Sequence, residues 1–224
     1  MIIGNGLIAS AFKESQLNHD NYIIFASGVS NSLETDANEF NREYNLLKST
    51  IEKFPNKKLI YFTSVLSQTL SNEYYLHKNK MEKTIKAHCD NYIIYAIPQL
   101  IGLKGNKNNL IQTLKSNIIY NKEILIYNGI NRAILDVEDL VEFVSYSIDK
   151  VCNEKINISY IEKISVLEIT KIISSILNKN PSIKVVEGKG ENWYLENSTI
   201  TIEWILFNDI KAKGYTKKIL RKYI

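Results

Sequence analysis

Tyr74 and Lys78 stand four residues apart, and just before them Thr63 and Ser64 close the apolar run Leu59–Phe62. On a helix that spacing puts a phenol and an ammonium on one face. A hydroxyl at the end of the preceding strand would complete a proton-transfer site, because a nearby cation favours the phenolate. Spacing alone carries little. With 14 Tyr and 28 Lys plus Arg among 224 residues, chance supplies such a pair on the order of once or twice, and Tyr44/Lys48 and Tyr146/Lys150 share the spacing. What sets Tyr74 and Lys78 apart is the strand ending in Thr-Ser upstream, so the rest of the chain must supply the partners that context requires.

Residues 1–17 read as a very short apolar strand, the turn Gly4-Asn5-Gly6-Leu7-Ile8-Ala9, and an amphipathic helix. This is a GxGxxG pattern with Ala9 in the last place. Glycines there let backbone N–H groups hold a pyrophosphate at the helix start, and a small third residue lets helix and strand pack closely. Asn21–Ser32 is a second strand that ends Phe25-Ala26-Ser27-Gly28, without the carboxylate that would hold ribose hydroxyls about 20 residues after the glycines. A helix from about Ser32 to Phe54 follows, closed by Pro55-Asn56. After the Leu59 strand and the Tyr74 helix, which ends near Cys89, comes the strand Tyr92–Ile97, meeting Pro98. Such alternation predicts a parallel sheet with helices on both faces and ligands at the carboxyl ends of the strands. Gly4, Gly28, Ser64 and Pro98 should line one crevice there.

From Gly102 the texture changes. Residues 103–122 are rich in Asn and Lys around a modest helix, Glu123–Asn128 reads as a strand, and Gly129–Arg132 as a turn. A periodic helix runs from Asp136 to Lys150, its acidic start suiting the positive end of the helix dipole, with Asp139 read as its cap. Ile156–Ile161 reads as a strand, Ser165–Lys179 as a helix, Ile183–Val186 as a strand, and Lys189–Thr199 as a polar loop holding Trp193 and Tyr194. Short helices are expected in the basic tail.

Composition bounds the function classes. The length suits one sizeable core or a core with a small lobe. A formal net charge of +4, with Lys scattered among Glu and Asn, argues against a dedicated nucleic-acid partner while suiting a small anionic ligand. Cys89 and Cys152 are far apart and read as reduced thiols. His19, His77 and His88 form no ligand cluster, so no metal site is expected, and His77 is read as solvated. No run approaches the roughly 20 apolar residues of a membrane span, and the N-terminus lacks the pattern of a signal peptide. A cytoplasmic protein without a membrane partner is the expectation.

The order of these landmarks resembles the extended short-chain dehydrogenase/reductase family, in particular its nucleotide-sugar epimerases, dehydratases and 4-ketoreductases. The N-terminal glycine turn is similar to that family's cofactor loop. FASGVSNS looks like its strand ending beside the cofactor, and Asn41–Ser64 like its Asn-led helix followed by the strand with the catalytic Ser or Thr. Tyr74, Lys78 and Glu82 stand at its Tyr, Lys and trailing Glu, Ile97–Gly102 at its strand-end proline segment, and Asn131–Val144 at its Arg-led run into an Asp-capped helix. Only residues 7–63 separate Gly6 from Ser64, whereas that family fits two further strands there; the strands holding the adenosine half are read as missing.

The resemblance implies an α/β fold with a shortened, Rossmann-like parallel sheet and a small α+β C-terminal substrate lobe. The cofactor domain would take residues 1–101 and 133–163, and the lobe 102–132 and 164–224. It further implies NAD or NADP as cofactor and a nucleotide sugar as substrate, in bacterial surface-polysaccharide synthesis, with a homodimer left open. Tyr74 would be the acid/base, Lys78 would lower its pKa and hold the nicotinamide ribose, and Ser64 would bond the reacting oxygen. Gly4, Gly6 and Ala9 would carry the pyrophosphate, Ala26 and Pro98 would border the nicotinamide, and Arg132 would meet a substrate phosphate. Epimerase, reductase and dehydratase chemistry all remain open. The alternative is a nucleotide- or nucleotide-sugar-binding regulatory protein of the same fold with reduced catalysis.

Overall fold

A computed structural model describes residues 1–17, 20–103, 109–187 and 195–224. Its first half alternates without interruption: β1 (Ile2–Ile3), α1 (Leu7–Glu14), β2 (Tyr22–Phe25), α2 (Ala37–Lys53), β3 (Lys58–Ser64), α3 (Glu73–His88) and β4 (Tyr92–Ile97). Then come β5 (Gln99–Ile101), α4 (Leu110–Ile119), β6 (Ile124–Tyr127), β7 (Asn131–Asp136), α5 (Val137–Ser147) and β8 (Glu154–Asn157). The chain finishes with β9 (Lys163–Ser165), α6 (Val166–Leu177), β10 (Ile183–Val186), α7 (Thr199–Phe207) and α8 (Tyr215–Tyr223).

The main sheet has the order β1-β2-β3-β4-β8, with every pair parallel. Its strands are runs of Ile, Leu, Tyr and Phe because both faces are covered, and the period of two sorts them into two cores. Ile24, Ile60, Phe62, Ile93 and Tyr95 join a core with Phe12 of α1, Phe143 of α5 and Trp204 of α7. Their neighbours Ile23, Phe25, Leu59, Tyr61 and Ile94 face the other way, against Leu47 of α2 and Met81 and Ile85 of α3. Each buried Ile or Leu of this kind contributes about 1.5–3 kcal/mol. The first core continues through α4, α6 and α8, so sheet and C-terminal elements share it. The fold is thus a Rossmann-like α/β sheet with helices on both faces.

β1 pairs only with β2 and forms the sheet edge. No strand lies beyond it among the described residues, as expected where the adenosine-side strands are absent. β2 therefore sits directly beside β1 and delivers Ala26–Gly28 next to the glycine turn.

Several boundaries differ from the sequence reading. α2 starts at Ala37, because Asp36 caps it by accepting the Asn38 N–H at 2.8 Å. The expected turn Gly129–Arg132 instead runs into β7, which pairs in parallel with β5 and antiparallel with β9. The strand expected over Ile156–Ile161 covers Glu154–Asn157. After it the chain turns away, as the Thr201 hydroxyl and Ser198 bond to Asn157. Part of the expected Lys189–Thr199 loop, with Trp193 and Tyr194, lies outside the described residues, as does His19.

Candidate active site

Parallel pairing with Ile3 beside Phe25, Phe25 beside Tyr61, and Ser64 beside Ile97 puts the carboxyl ends of β1 to β4 along one edge. Gly4, Ala26–Gly28, Ser64 and Pro98 follow or close those strands. At Gly4 a side chain would be strained and would clash: φ is +126°, and a Cβ would lie 2.3 Å from the Ala26 carbonyl oxygen. The turn is thereby pressed against Ala26, whose N–H donates to the Ile3 carbonyl at 2.8 Å. Gly6 is the N-cap of α1 and supplies no side-chain cap, and nothing stands within 4 Å of where its Cβ would be. The first-turn N–H groups of a helix so begun are suited to an anion. Ala9, fully buried, lets α1 pack on the sheet. Lys13 reaches back to the Gly4 carbonyl at 3.1 Å and adds positive charge beside the turn.

Ser64 ends β3 and caps a short 3-10 turn, Val65–Gln68, its Oγ accepting the Leu66 N–H at 3.2 Å. The hydroxyl proton of Ser64 is donated to no described residue. The turn is tied down from three sides: Ser67 donates to Glu82 at 3.2 Å, Asn79 donates to the Ser67 carbonyl at 2.8 Å, and Gln68 donates to Asn157 at 3.1 Å. Glu82 is in turn held by Lys155 of β8 at 2.7 Å. The Glu seen in sequence after the Tyr/Lys pair thus anchors the loop that follows Ser64.

Asn72 caps α3 through the Tyr75 N–H at 3.1 Å, which sets Tyr74 in the first turn. Tyr74 and Tyr75 pack edge-to-face with Val29, Phe40, Leu66 and Leu70 around them. The Tyr74 ring is mostly buried, and its hydroxyl makes no hydrogen bond to a described residue. Lys78 lies one turn on, its Nζ 5.6 Å from the Tyr74 ring centroid.

Sequence reasoning missed the group at the centre of this region. Glu43 of α2 is fully buried. Its Oε2 accepts the Val29 N–H at 2.7 Å and lies 3.0 Å from His77 Nε2, and its Oε1 accepts the Tyr61 hydroxyl at 2.7 Å. Lys78 Nζ donates to both oxygens, at 3.1 and 3.3 Å. Burial pushes the Glu43 carboxyl up, but the Lys78 charge, then the bonds from His77, Val29 and Tyr61, more than reverse this and hold it at about 2. One signal was available: Glu43 shares the i, i+4, i+7 stripe of Leu47 and Thr50, the other buried residues of α2.

Two expectations are corrected by this arrangement. His77 is not solvated; it is 6% exposed, stacked on Phe40 and bonded to Glu43. The Lys78 cation does not leave Tyr74 as a phenolate either: burial first, and the Glu43 charge second, raise its pKa. A third correction lies outside the site. Asp136, not Asp139, caps α5 by accepting the Glu138 N–H at 3.0 Å, while Asp139 accepts from the Tyr215 hydroxyl and its carboxyl is pushed up by burial. Arg132 is exposed on β7, donates to the Asn131 carbonyl at 2.8 Å, and its charge acts on Tyr75, the neighbour of Tyr74. Among the described residues no three His, Cys, Asp or Glu side chains converge as a metal site, and no helix is long and apolar enough to cross a membrane.

No family model and no curated protein sequence matches the chain. Solved structures do. The chain is similar to RMD from Pseudomonas aeruginosa complexed with NADPH (13% identity, 90% of this chain and 79% of that one, TM-score 0.71). It is also similar to UDP-N-acetylglucosamine 4-epimerase from Methanobrevibacter ruminantium in complex with UDP-N-acetylmuramic acid (16% identity, 90% and 74%, TM-score 0.70). A third is dTDP-glucose 4,6-dehydratase from Bacillus anthracis in complex with NAD (16% identity, 90% and 70%, TM-score 0.68). At these identities the likeness is one of fold.

Proposed function

We propose that the chain is an NAD(P)-dependent enzyme of nucleotide-linked sugars, of the epimerase, reductase and dehydratase kind to which its sequence landmarks bear a resemblance. What supports this reading is that the uncapped glycine turn and Ser64 lie at the carboxyl ends of parallel strands of one sheet, and that the hydroxyls of Ser64 and of Tyr74, on the helix that follows, spend no proton on described residues. Proteins of the same fold are named as binding NAD, NADPH and UDP-linked sugars. The reading extends to a bacterial, cytoplasmic protein of surface-polysaccharide sugar synthesis.

The residues present fit such a cofactor at its pyrophosphate. The turn Gly4, Gly6 and Ala9 would hold the phosphates through backbone N–H groups at the start of α1. Ala26 and Pro98 would border the nicotinamide, whereas Lys78, which the resemblance assigns to the ribose, is engaged by Glu43. When bound, the nicotinamide supplies or accepts a hydride. The chain itself handles the proton: Ser64 donates a hydrogen bond to the reacting oxygen, and Tyr74, whose raised pKa keeps it protonated at neutral pH, gives that oxygen its proton. Arg132 would bind a phosphate of the nucleotide sugar. Replacing Tyr74 by Phe removes only the hydroxyl and should cut turnover on the order of 100- to 10,000-fold in a folded protein. Wild-type turnover in that variant would remove Tyr74 from the mechanism.

A second reading is favoured by two observations: Lys78 is engaged by Glu43, and the sheet ends at β1. On it the protein binds a nucleotide or nucleotide sugar as a regulator. Ligand would then raise thermal stability by mass action with no turnover under any cofactor; demonstrated hydride transfer excludes it.

A further inference from the structure

Glu43 has no part in the chemistry set out above, yet four pieces of the fold converge on it: the loop after β2 through Val29, α2 itself, β3 through Tyr61, and α3 through His77 and Lys78. A carboxylate taken wholly out of water costs several kcal/mol and persists only where a cation and donors compensate it. Lys78 is that cation. Its ammonium has three protons, and three acceptors surround it: the two Glu43 oxygens, and the Tyr61 oxygen at 3.4 Å. The backbone closes over the pair at Gly28, where a Cβ would stand 2.7 Å from Lys78 Nζ and 3.1 Å from Glu43 Oε1. Lys78 is accordingly 3% exposed.

A bare ammonium this close to Tyr74 would ease loss of its phenolic proton. Joined to a carboxylate at hydrogen-bond distance, it no longer does. The other titratable groups facing the cluster are Tyr61 from β3 and His77, Tyr75 and Glu82 from α3, with Arg132 of β7 acting on Tyr75. None of them is a second cation in contact with Tyr74.

We propose that Glu43 is a positioning residue that holds Lys78 as its own counter-ion, so that Tyr74 stays a protonated phenol and the site is set to deliver a proton to a carbonyl oxygen. The carbonyl part rests on the function proposed above; the protonation of Tyr74 does not. In a reduction, a bound reduced nicotinamide would supply the hydride and be oxidised as its C–H bond breaks. The carbonyl carbon would gain that hydride, the π pair would move to oxygen and take the proton of the Tyr74 hydroxyl, and the resulting phenolate would be reprotonated from solvent. The same pairing keeps Lys78 from a ribose, so cofactor is held mainly by its phosphates.

The test uses the full chain with tyrosines carbon-13 labelled at Cζ, the Tyr74 signal being assigned by its loss in Tyr74→Phe. In Glu43→Gln, which keeps the side-chain shape, the Tyr74 midpoint should fall by about one pH unit or more, and NADH or NADPH should bind several-fold more tightly. An unchanged Tyr74 midpoint overturns the proposal. Should Glu43→Gln not fold, Glu43→Asp keeps the charge but shortens its reach; a smaller fall is then expected, and none, or a rise, overturns it. If the midpoint falls while neither cofactor binds, the role of Glu43 stands and the cofactor-dependent function fails. Tight cofactor binding with no fall has the reverse meaning.

Discussion

Replacing Lys78 by Met keeps much of the side chain's length and removes its charge, leaving Glu43 buried with three donors and no cation. The magnitude follows from the carboxyl. Its ordinary value of 4.5 is brought to about 2 in the folded chain, and at about 1.4 kcal/mol per pH unit the gap is worth about 3 kcal/mol. Because the folded value is the lower one, this stabilisation is fully present above about pH 4.5 and is lost as pH falls from there towards 2. Breaking a buried pair by removing one partner costs about 3–5 kcal/mol, in agreement, against a total stability of about 5–15 kcal/mol for a typical domain. Urea unfolding at neutral pH should therefore place Lys78→Met about 3 kcal/mol below wild type, with the slope against denaturant unchanged. The double variant Glu43→Gln, Lys78→Met should recover most of that loss, since two neutral groups need no counter-ion. It should also lack the acid-side decline that the pair gives the wild type. If Lys78→Met costs under about 1 kcal/mol, or the double variant is no better than the single one, the buried pair is not formed as described.

Two further outcomes test the frame around the site. Gly4→Ala forces a side chain into the Ala26 carbonyl at positive φ and should cost about 1–3 kcal/mol or more, whereas Gly6→Ala meets open space and should cost about 1 kcal/mol or less; thermal unfolding of the two variants side by side checks the contrast, and equal losses would contradict it. Lys155→Met strips the nearly buried Glu82 of its cation and should lose about 1–3 kcal/mol in urea unfolding, together with protection from hydrogen exchange at the backbone amides of Val65–Gln68.

Much of this architecture was legible from the chain, for identifiable reasons. β2, β3 and β4 are dense in Ile, Leu, Tyr and Phe, so the strand from Leu59 and a helix carrying Tyr74 and Lys78 to near Cys89 were legible, while the start of that helix at the Asn72 cap was not placed. The short strands β5, β7 and β9 could not. Three residues hold too little period to register in β5 and β9, and the start of β7 was masked by the Gly129 turn signal just before it. Tyr74, Lys78 and Ser64 were legible as types at a spacing, but the charge state of the site was not. It depends on Glu43, and a glutamate in a helix of mixed polarity reads as surface unless its place on the stripe of Leu47 and Thr50 is weighed. His77 was misjudged in the same way: it lies four and eight residues before Met81 and Ile85, both fully buried, because α3 is enclosed on more than one narrow face.

The most direct measurement of the central claim is calorimetric titration of NADH and NADPH into the folded 224-residue chain, with Gly6→Ala alongside it. Saturable binding at one cofactor per chain, weakened in Gly6→Ala while its stability is nearly unchanged, is the predicted result. Absence of heat from either cofactor up to millimolar concentration, in protein shown to be folded, would contradict a nicotinamide-dependent enzyme.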